Sequence, residues 1–273
     1  MKRSPRIFSR LYSVIIMLFL YAPIFVLIVF SFNSSKSRSV WSGFSFDWYI
    51  QLFNDSSILN AFYTTIAVSI IAAAVATIAG TFASVGLFSM RKRWRSPLLA
   101  VNNIPLINAD IVTGVSMCLL FVFLGSVLKF KLGFTTLLIA HITFNIPYVI
   151  LSVMPKLYQL DENLVNAACD LGCTWMQAFW KVIIPEIMPG IINGMIIAFT
   201  MSIDDFVISY FTAGSNVMTL SMKIFSMTRK RISPEINALS TILFVSVLIL
   251  LLIINIREIR QEDKRKRILN KQQ

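Results

Sequence analysis

The chain has 273 residues, 56% of them hydrophobic and 14% charged, with a formal net charge of +12. A water-facing domain usually carries about 25% charge, and here long stretches hold no Lys, Arg, Asp or Glu, which excludes a soluble globular protein. The basic excess does not point to nucleic acid, because all 25 basic residues lie between the apolar runs, where they meet anionic headgroups and set orientation.

Six apolar runs, at about 11–32, 59–90, 97–124, 133–153, 189–212 and 236–256, can each cover a hydrocarbon core of about 30 Å at about 1.5 Å per residue. The expectation is an all-α polytopic membrane protein with about six transmembrane helices. A single transmembrane domain is expected over 1–273, with its core at about 11–256 and a basic tail at 257–273. The first run follows Lys2, Arg3, Arg6 and Arg10 like a signal peptide. It is too long for the apolar part of one and lacks a small-x-small cleavage site, so a retained first helix is expected.

The segment between the first two runs carries Trp48 and Tyr49. Interfacial anchoring is the default for such aromatics, and a cation–π contact with an incoming ammonium is the alternative. In the second run Ala72, Ala76, Gly80 and Ser84 recur every four residues. They give a helix face without bulk that lets a neighbouring backbone approach; that neighbour can belong to this chain or to a second subunit. The third run contains Pro105, which breaks the hydrogen-bond ladder, and Asp110, expected on one face with Asn103 and Gly114. His141, in the fourth run, is expected to bond a neighbouring helix rather than relay protons.

Residues 154–188 are too long for an idle connection. Asp161 or Glu162 can start a helix, and Gly172 can end it in a left-handed conformation. A second short helix is expected from about Thr174, stopping before Pro185. The fifth run holds Asp204 and Asp205, about 100° apart on a continuous helix.

Of the 13 acidic residues, Asp110, Asp204 and Asp205 alone lie inside apolar runs, and no Lys or Arg does. An aspartate at mid-span costs roughly 2.5–3.5 kcal/mol on insertion scales and is normally kept for a pathway or a partner. Three carboxylates without a cation among them form a site suited to a positively charged cargo; pairing across a subunit interface is the structural alternative. Counting basic residues puts 17 with the termini, the 91–95 loop and segment 154–188, and eight on the other side. Both termini are therefore expected in the cytoplasm of a multi-pass cell-membrane protein.

Cys118, Cys169 and Cys173 offer neither a disulfide framework nor a metal site, and read as small apolar fillers. No Gly is followed by Lys, so there is no phosphate loop and any ATP is bound by a separate chain. No enzyme chemistry, cofactor or metal is expected.

The stretch Asn166-Ala167-Ala168, Gly172 and Val182-Ile183-Ile184-Pro185 resembles the EAA loop of bacterial ABC importer permeases (Glu-Ala-Ala-x3-Gly-x9-Ile-x-Leu-Pro), departing from it at Asn166. Ser31 to Ser35, Trp48-Tyr49, Asp110-Ile111-Val112, His141 to Phe144, Ser202-x-Asp204-Asp205 and Ser233 to Ala238 are similar to the spermidine/putrescine permeases within that group. The resemblance implies a type I ABC importer permease fold. It also implies that Asn166, Ala167, Ala168, Gly172 and Pro185 couple to the ATPase, and that Trp48, Asp110, Ser202, Asp204 and Asp205 serve substrate passage. The partners it implies are a second homologous permease, two ATP-binding subunits and an extracytoplasmic polyamine-binding protein, in a lipid membrane. An ABC permease for another small cation is the alternative, and an ion-coupled secondary transporter a further one; the latter usually shows inverted repeats, and none is visible here.

Overall fold

The computed structural model describes residues 4–35, 40–230 and 235–269. Lys2, Arg3, Lys36, Arg38, Arg231, Ser233, Pro234 and Lys271, used in the sequence reading, lie outside them. In chain order the helices are α1 (Ser4–Phe30), α2 (Asp47–Asn54), α3 (Ser56–Ser89), α4 (Lys92–Ile107), α5 (Asp110–Leu128) and α6 (Phe134–Tyr158). Then come α7 (Glu162–Asp170), α8 (Trp175–Ala178), a π-helical turn (Phe179–Ile183), α9 (Ile184–Asp204), α10 (Val207–Thr212), α11 (Leu220–Lys230) and α12 (Glu235–Leu269).

Among the described residues five segments are long and apolar enough to cross a membrane: Leu11–Ser31, Ser56–Ser89, Asp110–Leu128, Phe134–Tyr158 and Trp175–Asp204. The sixth expected crossing falls on α12, whose described apolar stretch, Glu235–Ile249, is shorter. The protein is thus an all-α multi-pass membrane protein.

Three sequence expectations are corrected. The third apolar run is not one helix: α4 ends at Ile107, Asn108 and Ala109 are extended, and α5 starts at Asp110. Pro105 leaves the last turn of α4 short of a hydrogen bond, and Asn103 no longer shares a continuous helical register with Asp110 and Gly114. The fifth run breaks likewise, because α9 ends at Asp204 and Asp205 is extended. The second helix of segment 154–188 does not stop before Pro185 but runs through the π turn into α9. There Ile184 N–H donates to Phe179 O, five residues back. This widened turn sits just where proline, having no N–H, cannot continue an ordinary ladder.

The chain falls into two compact units, residues 60–223 and residues 1–59 together with 224–273. In the first unit α6 is the central helix. A Cβ on Gly80 of α3 would lie 2.8 Å from Val149 Cβ, and one on Gly194 of α9 would lie 3.2 Å from Val149 Cα. The small residues Ala72, Ala76, Gly80 and Ser84 are all buried within this chain, as are Gly190, Gly194, Ala198 and Ser202 at the same four-residue spacing on α9. The partner left open by the sequence is therefore this chain's own α6, at least at Gly80. Val149, Ile150, Val153, Met154 and Leu157 of α6 form one apolar core with Ala73, Val85, Phe179, Ile183, Ile187 and Ala198.

This close approach yields a stability prediction. Gly80→Leu lowers the thermal stability of the purified protein by about 1–3 kcal/mol through overpacking. Gly86→Ala, where a Cβ meets nothing within 4 Å, leaves it unchanged or slightly higher. Equal melting behaviour for Gly80→Leu and the wild type would remove Gly80 as the contact point.

In the second unit α2 and α1 both pack on α12. The segment Leu11–Ser31 has 0% of its most apolar window buried, as suits a helix whose solvent is lipid.

Candidate functional site

The acidic site is built on the two helix breaks. Asp205 follows the last residue of α9 and caps α10: Ile208 N–H donates to its Oδ1 at 3.2 Å and Ser209 N–H to its Oδ2 at 2.7 Å. A carboxylate suits a helix start because it accepts the free N–H groups and opposes the positive end of the dipole. His141 of α6, 1% exposed, lies against the same carboxylate, with Nε2 3.5 Å from Asp205 Oδ2. Its Nε2 is also 3.0 Å from Ser209 Oγ, and its Nδ1 is 2.7 Å from Ser202 Oγ. The structure thus joins Ser202 and Asp205 on one histidine, and His141 does bond neighbouring helices. Ser209 was missed in the sequence; it sits 68 residues from His141, with no local pattern to announce it.

Asp204, one residue earlier, is exposed and has no hydrogen-bond or ion-pair partner among the described residues. Asp110 opens α5, is exposed, and has no ion-pair partner among them either. It lies near Tyr148 of α6, a neighbour that the sequence did not signal. One turn further on, α5 meets α10, where a Cβ on Gly114 would lie 3.1 Å from Phe211 Cδ2 and 3.4 Å from Val207 O.

The depth of these groups follows from α6. His141 and Tyr148 lie about 10 and 21 Å along α6 from Phe134 at about 1.5 Å per residue. His141 falls inside a hydrocarbon layer about 30 Å thick laid along α6, and the Asp205 carboxylate in contact with it lies at the same level of that helix. Broken helices at such depth are tolerated where they are buried in protein or line a wet cavity.

Trp48 belongs to the other unit. Its indole is only 6% exposed, and Nε1–H donates to Asn33 O at 2.6 Å. Asn33 in turn organises the loop, donating to Val40 O at 2.8 Å and accepting from Ser42 N–H at 3.0 Å. Beside it Phe32 stacks on Phe44 at 5.2 Å, and Tyr49 shares a hydrogen bond with Ser31 at 2.7 Å. In this conformation Trp48 packs the segment, and an ammonium has no free access to its face.

The first helix of the segment after α6, α7, begins and ends at the residues that signal it. Asp161 caps α7, accepting from Asn163 N–H at 2.9 Å. Gly172 has φ +87°. Its N–H donates to Cys169 O at 2.9 Å and that of Cys173 to Ala168 O at 3.0 Å, the pair of bonds of a Schellman ending. Thr174 and Gln177 then form a capping box for α8. Asn166 and Ala167 are exposed, Ala168 is half-buried, and Pro185 is exposed near the start of α9. Asn166 lines a cleft with Val85, Phe88, Leu157, Trp175 and Ile183. In the same segment Leu171 (87%), Met176 (58%) and Trp175 (56%) present apolar surface. Leu171 was missed, although an apolar residue directly before a left-handed glycine is a signal for it.

Among the described residues no group of three or more His, Cys, Asp or Glu is arranged to hold a metal. The three cysteines are free.

Comparison with known proteins shows the family and the fold of the chain. The family described as binding-protein-dependent transport system inner membrane component matches residues 76–259. The chain is 40% identical over 232 residues to the putrescine transport system permease protein PotI of Escherichia coli strain K12, covering 84% of this chain and 83% of that protein. It is 38% identical over 234 residues to the spermidine/putrescine transport system permease protein PotC of the same strain, covering 86% and 87%. Among solved structures, a bacterial ABC transporter involved in import of the acidic polysaccharide alginate superposes with TM-score 0.73 at 15% identity, over 94% of this chain and 96% of that one. The MetNI methionine ABC transporter in an inward-facing conformation does so with TM-score 0.60 at 19% identity, over 78% and 97%. These two likenesses establish the fold.

Proposed function

Because the chain belongs to the family of binding-protein-dependent transport system inner membrane components, and so is a permease subunit of an ATP-driven ABC importer, we propose that its cargo is a polyamine of the spermidine/putrescine class. The observation that carries this reading is the pair of carboxylates, Asp110 and Asp204, exposed at two helix breaks with no basic partner among the described residues. A polyamine supplies several ammonium groups spaced along a flexible chain, which suits acidic positions at two separate breaks. The PotI and PotC relatives, named for putrescine and spermidine transport, support the same cargo.

In this reading Asp110 and Asp204 set the negative potential of the pathway, and Asp205 serves it by holding the start of α10. Ser202 acts through His141. Trp48, whose indole is enclosed in its own unit, enters this reading by resemblance alone. Residues Asn166, Ala167, Ala168 and Gly172, with Pro185 at the foot of α9, carry the motion of the ATPase into the spans. The π turn joins that surface to a helix ending at Asp204, so a displacement of α7 and α8 has a continuous helical path to the acidic break. The complex then comprises a second homologous permease, two ATP-binding subunits and an extracytoplasmic polyamine-binding protein. Both termini and the α7–α8 segment face the cytoplasm, with the basic majority.

The test is uptake by the assembled complex in proteoliposomes. Labelled putrescine or spermidine enters only with ATP and the binding protein, and entry survives a protonophore. Transport of a different small cation, with neither polyamine taken up or competing, would defeat the cargo assignment.

A further inference from the structure

We propose that His141 is the positioning residue of the α9–α10 joint, turning Asp205 into the start of α10 and leaving Asp204 as the carboxylate that meets the cation. The inference rests on the cation-pathway reading above and deepens it. It stands on three contacts of one ring that is 1% exposed: Ser202 Oγ at 2.7 Å, Ser209 Oγ at 3.0 Å and Asp205 Oδ2 at 3.5 Å. Ser202 lies in the last turn of α9 and Ser209 lies on α10, so a single side chain of α6 spans the break and holds its two halves together.

The chemistry of the partners orders the ring. With its proton on Nε2 the ring points a donor at Ser209 Oγ, 3.0 Å away, and toward Asp205 Oδ2 at 3.5 Å, both of which can accept. In a neutral ring Nδ1 is then the acceptor, and the Ser202 hydroxyl, able to donate, selects that tautomer. Asp205 accepts from two backbone N–H groups and faces the ring, with its side chain only 7% exposed. Little of its charge is left to present to cargo. Asp204, adjacent in sequence, is exposed and unpartnered among the described residues. One ring thus decides which of two neighbouring aspartates is internal and which is free.

The test uses the complete transporter with His141→Leu and His141→Gln. Hydrogen exchange of the peptide spanning residues 205–212 is measured first, because the Ile208 and Ser209 amides are those held by Asp205. His141→Leu speeds it about tenfold or more, and His141→Gln, which keeps an N–H donor, stays within about threefold of wild type. The KM for putrescine is then read in two double-mutant cycles. His141→Leu with Asp205→Asn is no worse than the weaker single variant, whereas His141→Leu with Asp204→Asn multiplies the two losses. Unchanged exchange at 205–212 in His141→Leu, or losses that multiply with Asp205→Asn, overturns the proposal. If the unsubstituted complex takes up neither putrescine nor spermidine, the cargo reading fails alone, and the exchange measurement, which needs no cargo, still decides the role of His141.

Discussion

Asp204→Asn lowers polyamine uptake at least about tenfold while the complex still assembles. The substitution keeps size and shape, removes the charge and turns one acceptor oxygen into an NH2 donor. At an exposed side chain without a partner among the described residues, the loss therefore reports mainly electrostatics. Two unit charges about 4 Å apart attract by about 4 kcal/mol at an effective dielectric of about 20. Asp204 is exposed, so water screens much of this. Retaining only about 1.4 kcal/mol still amounts to about tenfold in an equilibrium. Asp205→Asn also lowers uptake, through a weakened cap on α10, and the double variant is at least as impaired as either. Labelled-polyamine uptake normalised to co-purified complex measures this. Unchanged transport in both single variants and in the double would remove the acidic break from the pathway.

Leu171→Asp and Gly172→Val, by contrast, leave the membrane helices folded and release the ATPase. Leu171 is 87% exposed, and Trp175 and Met176 in the same segment are more than half exposed. Covering a leucine is worth roughly 1.5–3 kcal/mol, so placing a charge there cuts affinity for an apolar partner groove by tenfold or more, at about 1.4 kcal/mol per decade. Gly172 acts through the backbone alone, since φ is +87° and a Cβ there would meet nothing within 4 Å. A β-branched residue in that conformation is strained by about 1–2 kcal/mol, which opens the ending of α7 and displaces Ala167 and Ala168. The measurement is the amount of ATPase retained on the purified permease. Normal retention in both variants would count against docking at this segment.

Much of this was legible along the chain. Asp161 and Gly172 mark the two ends of α7 because a capping oxygen and a left-handed glycine act on the backbone beside them. The small-residue stripe of α3 was equally plain, but its partner was not: nothing in Ala72, Ala76, Gly80 and Ser84 names Val149, 69 positions beyond Gly80. The two helix breaks were hidden because apolar runs continue through them. Hydropathy registers burial in lipid and does not register whether the backbone ladder is intact. Trp48 reads as an interfacial aromatic, and only the fold of the Asn33 loop around it shows the indole to be enclosed.

By itself, then, the order of residues determined the class of solvent, the run lengths, the acidic content of the spans and the start and stop of α7, since each depends on neighbours within a turn or two. The tertiary structure alone decided that α6 lies between two small-residue faces, that α9 stops at Asp204, and that Ser202 and Asp205 meet on His141. Those outcomes depend on which distant surfaces can approach closely enough to satisfy buried polar groups.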